Sequence, residues 1–194
     1  MKIIESFHFM YEKEEYLKSN FNICRKHAHH GLEGIYATIK WLQSSIFKNA
    51  VKDITFYLSD EPINFPGELA IDDTSTFDPV IYINIMSVTE DFQNKEYLID
   101  LKKKRTTCFE YASFILLHEV GHYIHALIGG NGQTKKDRIL DYFDKGEYHY
   151  ERYIEKMVHG DTTEEKKKYR NIPHEKAADN FAKQYINKVC GNEP

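Results

Sequence analysis

The stretch Thr107–Gly130, TCFEYASFILLHEVGHYIHALIGG, sets the organisation of the chain. Thr107 with Glu110 three residues on forms a capping-box pattern, an apolar run follows, and Gly129-Gly130 supplies a stop. The spacing therefore predicts one helix. Inside it, His118-Glu119-Val120-Gly121-His122 is a complete H-E-x-x-H. Residues four apart stand one turn above each other on one helix face, so both imidazoles reach a single ion. Glu119, one residue round from His118, is placed to hold a water at that ion. Two satisfied core histidines are the bland alternative, but a glutamate between them in an apolar setting is then an unpaired cost.

Two histidines do not close a catalytic zinc site, which takes three protein ligands and keeps one position for water. His125 lies seven residues after His118, about 10 Å along the helix axis, too far to share the ion. The extended spacing H-E-x-x-H-x-x-G-x-x-H fails as well, because those later positions are His125 and Ile128. The better source is Glu175-Lys176-Ala177-Ala178-Asp179-Asn180-Phe181-Ala182. Glu175 and Asp179 share a face at i, i+4. One carboxylate, Glu175, is expected to ligate the metal, while Asp179 accepts a hydrogen bond from a ligating imidazole and fixes its tautomer. Ala177, Ala178 and Ala182 allow close approach to the metal helix. A solvated acidic pair would sit among Lys and Glu, whereas this one sits among Ala and Phe.

HEVGH followed by EKAADNFA resembles the gluzincin metallopeptidases, and most of all the ImmA/IrrE family of small bacterial and phage metallopeptidases. The resemblance covers 107–130 and 172–189, and residues 1–75 carry none of it. It implies a zincin-like fold, Zn2+ as cofactor, His118, His122 and Glu175 as ligands, Glu119 as general base and Asp179 as the carboxylate behind the ligands. The long spacer between His122 and Glu175 implies an inserted element. The residue that stabilises the oxyanion stays open among Tyr148, His149, Tyr153 and His159 of the insert, with Tyr185 the only such residue after Glu175.

Outward from these motifs, loose helical spacing predicts a helix over about 6–26. Cys24-Arg25-Lys26-His27-Ala28-His29-His30 reads as its solvated, cationic end, stopped by Gly31, since no second pair completes a metal site. Ile35, Ile39, Leu42, Ile46 and Phe47 form the stripe of an amphipathic helix over Leu32–Ala50. Ile54–Leu58 and Val80–Met86 read as strands, the second placed equally well at a sheet edge open to an extended peptide or in the centre. Between them, 61–78 reads as loop with a short strand at Glu68–Ile71, and its acidic cluster as solvated. A short helix and a basic turn occupy 89–105. Short helices are expected near 136–145, 147–158 and 161–169, broken at Gly146 and Gly160. Asn171 as cap and Pro173 in the first turn start a final helix over Pro173–Val189.

The fold class expected is α+β: a small mixed sheet with N-terminal helices beside a mostly helical C-terminal lobe around the metal helix. The whole of 1–194 reads as a single domain, divided into a helix and sheet lobe (1–105), the metal helix (106–130), a helical insert (131–170) and the third-ligand helix (171–194). A net charge of −4 gives no electrostatic case for nucleic acid as the main partner. No segment has a membrane-spanning length, the N-terminus lacks a secretory pattern, and Cys24, Cys108 and Cys190 read as reduced thiols, so the expected compartment is the cytoplasm. The function expected is zinc-dependent hydrolysis of peptide bonds in a peptide or protein substrate, through a zinc-bound water activated by Glu119. Its rivals are a catalytically silent zinc-binding interaction module and a metal hydrolase of non-peptide substrates.

Overall fold

The computed structural model describes residues 1–71, 79–158 and 162–191. Its centre is a 22-residue helix, Cys108–Gly129, in which 17 residues are buried, so it is enclosed on nearly every side rather than lying on a surface. In chain order the elements are β1 (Lys2–Ser6), α1 (Glu14–Phe21), α2 (Arg25–Ser44), β2 (Thr55–Ser59), β3 (Gly67–Ile71) and β4 (Pro79–Asn84). They continue with α3 (Ile85–Gln93), α4 (Tyr97–Asp100), the central helix α5, then α6 (Lys135–Lys156), α7 (Thr163–Tyr169) and α8 (Pro173–Cys190). This is the expected mixed α+β class, mostly helical with one small sheet.

The sheet has the order β1-β2-β4-β3. β1 and β2 pair in parallel, as do β2 and β4, while β3 runs antiparallel to β4. β4 is therefore an inner strand and β3 an edge. The Val80–Met86 run, which by its apolar pattern fits either an edge or the centre, supplies through Val80–Asn84 a strand paired on both sides. Strand β4 also ends sooner than its apolar run, because Asn84 caps α3 by accepting from the Met86 and Ser87 amides, and Ile85-Met86 begin that helix.

Helix α5 packs on α2, α8, α6, α3 and β3. Two close crossings set its position. A Cβ on Gly34 would fall 2.3 Å from the Phe109 carbonyl oxygen, so α2 meets α5 backbone to backbone at that point. A Cβ on Gly121 would fall 3.0 Å from Ala178 Cα, which makes Gly121 and Ala178 the crossing of α5 and α8. The small residues of the EKAADNFA stretch have the close-packing role expected of them, with Ala178 and Ala182 wholly buried.

Several sequence expectations are corrected. Residues 6–26 are not one helix: Ser6 ends the strand Lys2–Ser6, Glu14–Phe21 is a short helix, and a separate helix begins at Arg25. Cys24 caps the start of α2 rather than ending a helix, and Gly31 lies inside α2, where Ile85 and Cys108 pack against it. The interior Gly costs about 1 kcal/mol of helix propensity, which tertiary packing overrides. Thr107 accepts from the Glu110 amide, but the Glu110 carboxylate turns to Lys103 and Thr106, so only half of the capping box forms. The complete box is Thr134–Asp137 at the start of α6. Helix α6 runs unbroken through Gly146, and the N-cap of α8 is Ile172, not Asn171. The acidic cluster of 72–78, His159 and Gly160 lie outside the described residues. Among the described residues, no helix is long and apolar enough to cross a membrane.

Candidate metal centre

Helix α5 brings His118, Glu119 and His122 to its buried face, and α8 brings Glu175 and Asp179 to meet them across the Gly121–Ala178 crossing. The Nε2 atoms of His118 and His122 lie 3.0 Å apart. Glu175 offers Oε2 at 3.2 Å from His118 Nε2 and Oε1 at 3.4 Å from His122 Nε2. The three side chains are buried, with one ligand atom from each lying within 4.8 Å of the others. Among the described residues, this is the one His, Cys, Asp or Glu group so arranged.

The chemistry of the donor set fits a cation. Asp179 Oδ1 lies 2.9 Å from His118 Nδ1 and the Tyr142 hydroxyl 2.9 Å from His122 Nδ1. Both outer nitrogens are thereby occupied, and the inner Nε2 lone pairs of the neutral rings face each other and a carboxylate. Three acceptors converging on one point are mutually repulsive unless a positive charge lies between them. A proton is the smallest such charge. Burial disfavours a charged His118, but its hydrogen bonds to Asp179 and Glu175 prevail and raise its pKa to about 9. Burial likewise opposes ionisation of Glu175, yet hydrogen bonds from His118 and His122 hold its carboxyl well below the usual range. The His118, His122 and Glu175 group can therefore hold a metal ion.

A second layer of charge surrounds this group. Arg170, between α7 and α8, meets Asp179 Oδ1 at 3.3 Å, Asp100 Oδ1 at 3.0 Å and Glu175 Oε2 at 3.7 Å. Asp100 also accepts from the Tyr111 hydroxyl at 2.9 Å. Burial disfavours the Arg170 charge, but these carboxylates more than offset it and raise its pKa. Tyr150 donates to Glu175 Oε1, and burial followed by the Glu175 charge keeps its phenol protonated throughout the neutral range.

The group opens into a cleft of about 330 Å³ whose walls include Glu119, Gly67, Tyr142, Tyr150, Tyr169 and His174. Edge strand β3 forms one side: a Cβ on Gly67 would come 3.1 Å from Glu119 Cγ. Burial raises the Glu119 carboxyl pKa against the opposing pull of His118 and His122. Gly146 of α6 leaves the opposite wall open, with His174 against it.

All five expected site residues thus meet at one place. His125 does not join them; its Nε2 bonds the Ala177 carbonyl at 3.2 Å. Cys24, His27 and His30 do not converge, since His27 packs edge-on against Phe92 and His30 lies tilted against Phe109. Tyr148, His149 and Tyr153 do not line the cleft, and Tyr185 packs among Trp41, Phe47 and Phe181. The residues that sequence reasoning missed are Tyr142, Tyr150, Tyr169, Arg170 and His174. Tyr142, Gly146 and Tyr150, at i, i+4 and i+8 on one helix, were the available signal, hidden by reading Gly146 as a break. Comparison with protein-family models, with curated proteins and with solved structures returns no match for this chain.

Proposed function

We propose that this protein is a zinc-dependent metallopeptidase of gluzincin, zincin-like type. One observation carries the reading: His118, His122 and Glu175, from two helices, converge on a point beside Glu119, at the wall of a cleft bordered by an edge strand. Two imidazoles and one carboxylate are the donor set of hydrolytic zinc sites. When bound, zinc supplies a Lewis acid that polarises a carbonyl and acidifies water.

The chain's own residues supply the rest. Asp179 holds the His118 ring by its outer nitrogen, and Tyr142 holds the His122 ring, so both inner nitrogens stay directed at one point. Glu119 takes the proton of the attacking water and returns it to the leaving nitrogen; burial raises its affinity for that proton. The Tyr150 and Tyr169 phenols, both kept protonated by burial and the nearby Glu175, line the cleft and would serve as donors for the negative oxygen that forms on the scissile carbon by turning their hydroxyls to it from Glu175. The outer edge of β3 has no strand partner among the described residues, and Pro66–Leu69 line the cleft, so an extended peptide can pair there. That edge favours a peptide over a compact small-molecule substrate.

Elemental analysis and a peptide-library digest test the reading together. About one zinc per chain is expected in the wild type and in Glu119→Gln, with sharp loss in His118→Ala and Glu175→Ala. Cleavage is expected from the wild type alone. Identical digests from wild type and Glu119→Gln mean a silent zinc module, and hydrolysis of esters or small amides without peptide cleavage means a different substrate class.

A further inference from the structure

Behind the metal centre, on the far side of Arg170, lies a second cavity of about 370 Å³. Five of its lining residues are cationic: Lys102, Lys167, Arg170, Lys176 and Lys183. They come from four separate places in the chain: the turn after α4, helix α7, the α7–α8 connection, and one face of α8, where Lys176, Asp179 and Lys183 stand at i, i+3 and i+7. Asp179 is the single carboxylate in the lining, and it is shared by His118, Arg170 and Lys183. Arg170 is engaged by Asp100 as well. Lys102, Lys167 and Lys176 have no carboxylate partner among the described residues.

What sets this group apart from a solvated lysine face is that five cations line one cavity with a single carboxylate, whereas Lys135–Asp53, Lys145–Asp141 and Lys166–Glu96 are matched pairs. Here a chain of net charge −4 gathers unmatched positive charge around a concavity in the size range of small-ligand sites. Cations so placed repel one another and focus a positive potential into the cavity, which a multiply charged anion relieves. Lysine ammonium groups that converge as point charges suit phosphate oxygens. A bounded cavity of this volume suits a short anion rather than a polymer tracked along a groove.

We infer that this cavity is a binding site for a small oligophosphate, of the di- or triphosphate class, set against the metal centre with the Arg170–Asp179 pair as common wall. The inference does not depend on the protein being a peptidase. Calorimetric titration of the holoprotein with inorganic tripolyphosphate tests it. One site per chain is expected, with affinity falling as sodium chloride is raised. Lys167→Ala/Lys176→Ala is expected to weaken binding by about tenfold or more, since each loses a charge-assisted contact. Lys48→Ala, outside the cavity, is expected to leave it unchanged. Binding is also expected to persist in His118→Ala, and heat that disappears there is metal chelation and overturns the inference. Absence of binding, or equal weakening by the Lys48 and the double variant, overturns it too. So does tighter binding of a single-stranded oligonucleotide than of tripolyphosphate, which assigns the patch to nucleic acid.

Discussion

Replacing Asp179 separates two roles that the geometry gives to one carboxylate. Its Oδ1 sits 2.9 Å from His118 Nδ1 and 3.3 Å from Arg170, while Oδ2 sits 3.3 Å from Lys183. In Asp179→Ala the His118 ring loses the partner that fixes its tautomer and orientation. Loss of such a partner typically lowers metal affinity by about 10- to 100-fold, or about 1.4–2.8 kcal/mol. Arg170 retains Asp100 at 3.0 Å and Glu175 at 3.7 Å, so its charge is not orphaned. The folding penalty is then expected near about 1–3 kcal/mol for the lost charged hydrogen bonds, below the roughly 3–5 kcal/mol of an unpaired buried charge. Asp179→Asn keeps the volume and an acceptor oxygen but removes the charge, and its loss of metal affinity is expected near about tenfold. Competition between the protein and a chromophoric zinc chelator measures the affinities, and circular dichroism checks the fold of each variant. A natively folded Asp179→Ala that binds zinc within about twofold of wild type refutes the argument; Asp179 then serves Arg170 and not His118.

Two further perturbations probe the cleft and the helical layer behind it. A Cβ at Gly67 would meet Glu119 Cγ at 3.1 Å, Glu119 Oε1 at 3.2 Å and Ile83 Cδ1 at 3.0 Å, so Gly67→Ala displaces the Glu119 carboxylate by a few tenths of an ångström. Turnover of a peptide cleaved by the wild type is expected to fall by about tenfold with metal content unchanged, because misplaced catalytic groups lose near-attack geometry; unchanged turnover removes Glu119 from the reaction. Burial, with the Glu96 and Asp100 charges adding, pushes the Asp91 carboxyl up to about 7. Between the ordinary aspartate value and about 7 the folded state keeps a proton that the unfolded state has released, so this group costs stability increasingly as pH rises through that window. Asp91→Asn is therefore expected to raise the melting temperature at pH 8 and to leave it nearly unchanged at pH 4; equal shifts at both pH values contradict the assignment.

How much was legible beforehand follows from the range over which each signal acts. The H-E-x-x-H helix and the Glu175/Asp179 face are periodic, local patterns, and 3.6-residue geometry alone puts each set of side chains on one side of its helix. That two carboxylates on α8 belong with two histidines on α5 was readable too, because small residues marked the approach and Ala and Phe surrounded the acids. The strand Lys2–Ser6 had no local signal because it gains its strand identity from pairing with Thr55–Ser59, a partner more than fifty residues away. Gly31 and Gly146 misled: each is a helix breaker by local propensity and is held in a helix by what packs against it or opens beside it.

The sequence by itself determined the two histidines, the glutamate between them and the helical faces that carry the acids, because spacing along one helix is a one-dimensional quantity. Only the tertiary structure decided that β3 rather than β4 borders the cleft, that Tyr142 holds His122, and that Arg170 joins Asp100, Glu175 and Asp179. Strand order, a tyrosine 20 residues from its histidine and an arginine facing three separate acids all depend on how elements pack. That packing is chosen by the burial of the whole core at once, and no local window of sequence contains it.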